Sequence, residues 1–178
     1  MGSFSGYPLT RWSGNRLMII EEEIFFIDQN KKKWLVPIHS EINGATIPKP
    51  LWSIIGSPYV GNYRRASVVH DYFVGEGNNP NFSYKERRAA DAMFFNACRT
   101  DGCSWKLSVL LYIGVSVGSW ASKNNIEHSI DNEDFESISI DGDQKIRNKY
   151  YDILEKFNEN NFLVENFDLL EDFVENEI

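Results

Sequence analysis

Ser83-Tyr84-Lys85-Glu86-Arg87-Arg88-Ala89-Ala90-Asp91-Ala92-Met93-Phe94-Phe95-Asn96-Ala97-Cys98, closed by Gly102, decides the fold class of this 178-residue chain. Ser83 and Glu86 make S-x-x-E, a capping box in which each side chain satisfies an orphan backbone N–H at a helix start. Ala90, Phe94, Ala97 and Cys98 then recur at helical spacing, and Gly102 follows as a stop signal. Within this small, apolar run stands Asp91, a carboxylate that is costly there unless it is paired or ligating.

Toward the C-terminus, Trp105 to Ser122 is apolar nearly all round, as expected of a central helix. Its most apolar part, Leu107 to Trp120, is shorter than the ~18–20 residues a membrane span needs. Gly114 and Gly118 sit four apart in it, placed for close packing by a neighbouring backbone. Toward the N-terminus, Gly75 to Pro80 reads as a loop. Tyr63 to Val74 reads as a helix carrying Ala66, Val69 and Phe73 on one face, and Pro50 to Ile55 as a helical turn ending at Gly56. Before these, Leu17–Ile20, Ile24–Ile27 and Trp34–Val36 are apolar runs, with Asp28-Gln29-Asn30 as turn chemistry between the last two. They predict two or three antiparallel strands, with Lys31, Lys32 and Lys33 at a hairpin end. Beyond Asn125 the chain is a polar, acidic linker to Gly142. Two helical stripes follow it, Ile146/Tyr150/Ile153/Leu154/Phe157 and Phe167/Leu170/Phe173/Val174, with a break at Asn158–Asn161. Both stripes need cover, from the body or from another subunit. The expected class is α+β. A small N-terminal antiparallel sheet or hairpin packs on a mainly helical body, residues 1–124, and an acidic linker and helical extension occupies 125–178.

Composition narrows the function classes. A hydrophobic content of 42% builds a real core. The two cysteines, Cys98 and Cys103, match neither a zinc knuckle nor a CxxC redox pair, and no signal-peptide pattern stands at the start, so a reducing cytoplasm is expected. Before Asn125 there are 14 Lys and Arg against 10 Asp and Glu; from there on, 4 against 16. A mildly basic body thus carries a strongly acidic tail, which repels phosphates and argues against non-specific nucleic-acid binding.

Two further groups carry chemistry. Asn43-Gly44-Ala45-Thr46-Ile47-Pro48 combines an amide, a turn glycine, a hydroxyl and a stiffening proline. Its bland alternative is a turn between the last strand and the first helix. His70 and Asp71 are adjacent, so on a helix they project about 100° apart and Asp71 cannot simply orient His70. His70 suits a general base or metal ligand, and Asp71 a cation ligand or water-orienting group. The plain alternatives are a His70 satisfied by backbone and an Asp71 paired with Arg64, Arg65 or Arg87. Asp91 has two readings as well. Arg87 lies four residues earlier as an ion-pair partner, or Asp91 joins His70 and Asp71 in a site able to hold a divalent metal and activate water. His39 and His128 lie in polar, loop-like surroundings and are expected at the surface.

Val36-Pro37, Asn43 to Pro48, His70-Asp71-Tyr72, Arg87 with Ala90-Asp91, and Leu111-Tyr112 with Gly118 and Trp120 stand in an order that resembles the domain of unknown function 1353 family of bacteriophages and prophages. The resemblance covers roughly Leu17 to Trp120. It implies that His70, Asp71, Arg87 and Asp91 are the shared positions, and assigns them no function. Where that family usually has Asp, this chain has Asn43, and Thr46 stands where Ser is frequent. The loss of charge at Asn43 weakens any role for that position as base or cation ligand.

Two functional expectations follow. The first is a small hydrolase of phage type, with His70, Asp71 and Thr46 catalytic. Asn43, Gly44 and Arg87 contact substrate, and His70, Asp71 and Asp91 hold a divalent metal. The second is a non-enzymatic binding protein, a phage accessory, counter-defence or toxin-neutralising factor, that meets a host or phage protein through its acidic extension.

Overall fold

Six short strands precede six helices in the computed structural model, which describes residues 2–13, 17–42, 47–57, 60–74, 83–126, 140–160 and 165–178. Strands β1 (Ser3–Phe4), β4 (Ile24–Ile27) and β5 (Lys33–Val36) form one antiparallel sheet in the order β1-β4-β5. Strands β2 (Thr10–Trp12), β3 (Met18–Ile20) and β6 (Glu41–Ile42) form a second, in the order β2-β3-β6. The α+β class holds, but the strands make two small sheets where one was expected. The three apolar runs are β3, β4 and β5, each with alternate residues buried, as a half-covered sheet requires.

The β4–β5 turn is built by Asp28. Its Oδ1 accepts the backbone N–H groups of Asn30 at 2.8 Å and Lys32 at 3.0 Å, and its Oδ2 accepts the indole N–H of Trp34 at 2.9 Å. Lys31 takes a positive φ of 66° there. Ile24 then pairs with Val36 and Phe26 with Trp34, and all four side chains are buried.

A 3₁₀ turn (Lys49–Leu51) and α1 (Trp52–Ile55) lead to α2 (Arg64–Val74), which contacts β4, β5 and β6. Helix α3 (Tyr84–Thr100) opens with the expected capping box: Ser83 Oγ accepts from the Glu86 N–H, and the Glu86 carboxylate accepts from the Ser83 N–H at 2.8 Å. Helix α4 (Trp105–Lys123) is the central rod, touched by α1, α3, α5 and α6. No helix among the described residues is long and apolar enough to cross a membrane.

The two glycines of α4 form a notch. A Cβ on Gly114 would lie 2.7 Å from Ile55 Cδ1, and one on Gly118 would lie 3.1 Å from Pro48 Cγ. The notch therefore seats the chain that leaves the Asn43–Pro48 run directly on the central helix.

The C-terminal stripes are covered by the body. Helix α5 (Ile140–Glu159) buries Ile146, Tyr150 and Ile153, and its Arg147 donates to the Pro50 carbonyl at 3.1 Å. Helix α6 (Phe167–Glu177) buries Leu170 and Val174 and stacks Phe167 on Phe95 with ring centroids 4.4 Å apart. The apolar faces that were candidates for a foreign partner are thus spent inside the same chain, and acidic side chains such as Glu155, Asp168 and Asp172 face outward.

Candidate functional site

Helices α2, α3 and α4 meet around a chain of polar groups sealed in the core. His70, from α2, places Nε2 2.8 Å from Oδ1 of Asp91 on α3. The second oxygen, Oδ2, accepts from Arg88 Nη1 at 2.6 Å and from Ser119 Oγ, on α4, at 2.6 Å. Arg88 extends the network: Nη1 also donates to Ser116 Oγ at 2.8 Å, Nη2 to Tyr112 Oη at 3.0 Å, and Nε to Oε1 of Glu175, on α6, at 2.6 Å. His70 is 1% exposed, Asp91 0% and Arg88 7%. Local sequence explains the convergence. Arg88 and Asp91 are three apart on one face of α3, and Ser116 and Ser119 are three apart on the face of α4 that meets them.

Burial lowers the His70 pKa from its ordinary value. The hydrogen bond and charge of Asp91 push the other way, the positive charges of Arg87 and Arg88 add to the lowering, and the net direction is down. The ring is therefore neutral at pH 7. The Asp91 carboxylate also accepts from Arg88 and Ser119, an arrangement that suits a ring whose Nε2–H donates to Oδ1. That leaves Nδ1 as an acceptor, buried and without a hydrogen-bond partner among the described residues. For Arg88, burial alone would lower the pKa, but Asp91, Tyr112 and Glu175 outweigh it and the group stays a cation. Asp91 and Arg88 thus form a neutral pair inside the core, which avoids the large cost of an uncompensated charge. Burial raises the Tyr112 pKa despite the nearby Arg88, so Tyr112 remains a phenol.

Several expectations change. The partner of Asp91 is Arg88, where Arg87 was expected. Arg87 Nη1 donates instead to the Val74 carbonyl at 3.1 Å, at the end of α2. Arg65, offered as a partner for Asp71, pairs with Asp101, donating from Nε to Oδ1 at 2.7 Å. Asp71 is buried, 1% exposed. Among the described residues no group of three or more His, Cys, Asp or Glu side chains is placed to hold a metal ion, so His70, Asp71 and Asp91 do not form the expected cation cage there. The physical reason is that both oxygens of Asp91 are already taken by His70, Arg88 and Ser119. Asn43, Gly44 and Thr46, and the distant His128, lie outside the described residues. Arg88, Tyr112, Ser116, Ser119 and Glu175 were not anticipated. Ser116 and Ser119, two of the four serines in a largely apolar helix, were the available signal, because a buried hydroxyl usually has a partner.

An uncharacterised protein, y4jT, of Sinorhizobium fredii (strain NBRC 101917 / NGR234) is 32% identical over 136 residues, which are 72% of this chain and 38% of that protein. A second, y4iH, of the same strain is 31% identical over 55 residues, 31% of this chain and 23% of the relative. The chain thus spans well under half the length of the relatives it matches. No solved structure matches it. A family model matches residues 18–115, a span that holds His70, Asp71, Arg88, Asp91 and Tyr112 and stops short of Ser116, Ser119 and Glu175. With more than half of its length matched in this way, the chain belongs to the family described as "Protein of unknown function (DUF1353)".

Proposed function

We propose that the chain is a small hydrolase in which His70 acts as general base on a water molecule and Asp91 orients it. The observation that carries this reading is the His70 ring itself: neutral, fixed through Nε2, and with Nδ1 left as an unpartnered acceptor. In the proposed step, water attacks an acyl or phosphoryl centre while Nδ1 takes its proton. Asp91 stabilises the resulting imidazolium, and the proton is then delivered to the leaving oxygen or nitrogen. A neutral ring is the competent form, and burial supplies it. Asn43, Gly44 and Thr46, in the family-shared run before Pro48, and Arg87 are the substrate-contacting positions of this proposal. The phage or prophage setting that the resemblance implies belongs to the proposal too.

One observation favours a structural reading: His70 is 1% exposed and its network ties α2, α3, α4 and α6 together. The same experiment separates the two. The full chain is assayed against carboxylic esters, phosphodiesters and peptidoglycan fragments, with and without added divalent cations. His70→Gln and Asp91→Asn are expected to lower kcat by about 10²–10⁴-fold, with the His70→Gln melting temperature near that of the parent. Hydrolysis that survives His70→Gln, or a variant that loses its cooperative melt, assigns His70 to the scaffold.

A further inference from the structure

Arg88 is the hub of the buried network, and its guanidinium joins two parts of the fold. One side holds Asp91, Ser116 and Tyr112. The other holds Glu175, which lies sixty residues beyond the end of the family-matched span. A guanidinium is planar, and its five N–H donors keep a fixed fork geometry, so the position of one bond constrains the others. Here Nε is fixed by Glu175, while Nη1 and Nη2 face the core.

Helix α6 is well seated for this task. Phe167 stacks on Phe95 and meets Tyr112 edge-on at 5.2 Å, and Leu170 and Val174 are fully buried. Asn166 caps its start by accepting from the Leu169 N–H at 3.2 Å. Lys156 of α5 reaches Glu177 at 2.7 Å and pins its end. The charged and titratable groups that face Arg88 are His70 on α2, Asp91 on α3, Tyr84 at the start of α3, Tyr112 on α4, and Glu171 and Glu175 on α6. Glu175 is the only one of these on α6 with a direct bond to the guanidinium among the described residues.

We infer that Glu175 is a positioning residue for the His70–Asp91 pair, acting through the Arg88 fork, so that docking of α6 sets the aim of the His70 ring. The inference takes its catalytic meaning from the hydrolase reading, while its physical content is a coupling between two sites in the free protein. With Glu175 in place, Arg88 shares its charge between two carboxylates and bonds Asp91 from one side only. Without that charge, Arg88 places its full attraction on Asp91, which draws the carboxylate toward the guanidinium and weakens the Oδ1 bond to His70. The ring then loses its fixed Nε2–H···O bond and its defined tautomer.

The test is the solvent-exchange rate of the His70 Nε2–H proton, read by NMR on the ¹⁵N-labelled full chain without substrate. Glu175→Gln keeps the shape and removes the charge, and is expected to speed exchange by about tenfold or more, the scale of one weakened charge-assisted hydrogen bond. Glu175→Asp, which keeps the charge one methylene short, is expected to recover part of the protection. Lys156→Ala removes the other pin of α6 without touching Arg88 and is expected to leave the exchange rate within about twofold. If Glu175→Gln lowers the melting temperature with His70 exchange unchanged, Glu175 is a plain anchor and the inference fails. It fails equally if Lys156→Ala speeds exchange as much as Glu175→Gln. Both readouts stand whether or not the parent protein hydrolyses any substrate, so failure of the hydrolase reading is seen separately.

Discussion

His70 is neutral because it is buried, and that has a signed consequence for stability. Its pKa in the folded chain is below the ordinary value, so between the two values the unfolded state binds more protons than the folded one. Stability from the neutral ring is therefore fully present above about pH 6.5, the unfolded value, and is lost as pH falls through that point toward the folded value. One such group contributes a slope of at most about 1.4 kcal/mol per pH unit in that window. Denaturant midpoints taken from pH 7.5 down to 5.5 are expected to fall for the parent and to fall less steeply for His70→Gln. Equal slopes for the two would show that His70 takes up its proton without disturbing the fold. The proximity of His70 and Asp91 was legible in the sequence, although as members of a metal site and not as a hydrogen-bonded pair, because a histidine on one helix and a carboxylate in an apolar stretch of the next must be reconciled somehow. Arg88 was not, since Arg87 and Arg88 lie four and three residues from Asp91 and both distances are within reach along a helix. Only the packing of α4 against α3 decides between them.

At the scale of elements, what was readable had a period or a cap. The Ser83–Glu86 box set the start of α3 correctly, and its worth is measurable. Ser83→Ala removes the acceptor for the Glu86 N–H and is expected to cost about 1 kcal/mol, or roughly 2–4 °C in melting temperature for a chain of this size. A change below half a degree in a thermal melt would mean that tertiary packing alone holds that end. The glycine pair was likewise readable as a place of close approach, although not what approaches it. The strands were the least legible. Runs such as Met18–Ile20 and Ile24–Ile27 showed themselves by apolar residues, whereas β1, β2 and β6 have two or three residues each, too few for alternation to register. Their partners are set by register with β3 and β4, a non-local property. Tyr112 and Glu175 escaped for the same reason, because each meets Arg88 only through non-local packing, of α4 on α3 for Tyr112 and of α6 on the body for Glu175.

For the whole molecule, the main result is that the acidic extension is part of the core. Ile146, Tyr150, Ile153, Leu170 and Val174 are each 0–1% exposed. Burying each such side chain is worth roughly 1.5–3 kcal/mol, so together they match the ~5–15 kcal/mol by which a typical domain is stable. A chain ending at residue 126 is therefore expected to lose its cooperative thermal transition and to bind a hydrophobic dye. A sharp melt within a few degrees of the full chain would show that the family-matched region folds alone. The same architecture imposes an order on synthesis. Helix α4 is apolar nearly all round and is covered by α1 and α3, made before it, and by α5 and α6, made after it. At a translation rate of ~5–20 residues per second, the end of α6 follows the end of α4 by roughly 3–10 seconds. Throughout that interval the growing chain presents its greasiest helix half-dressed to the cell. The acidic turns of α6, made after α4, are the ones that close the core over it.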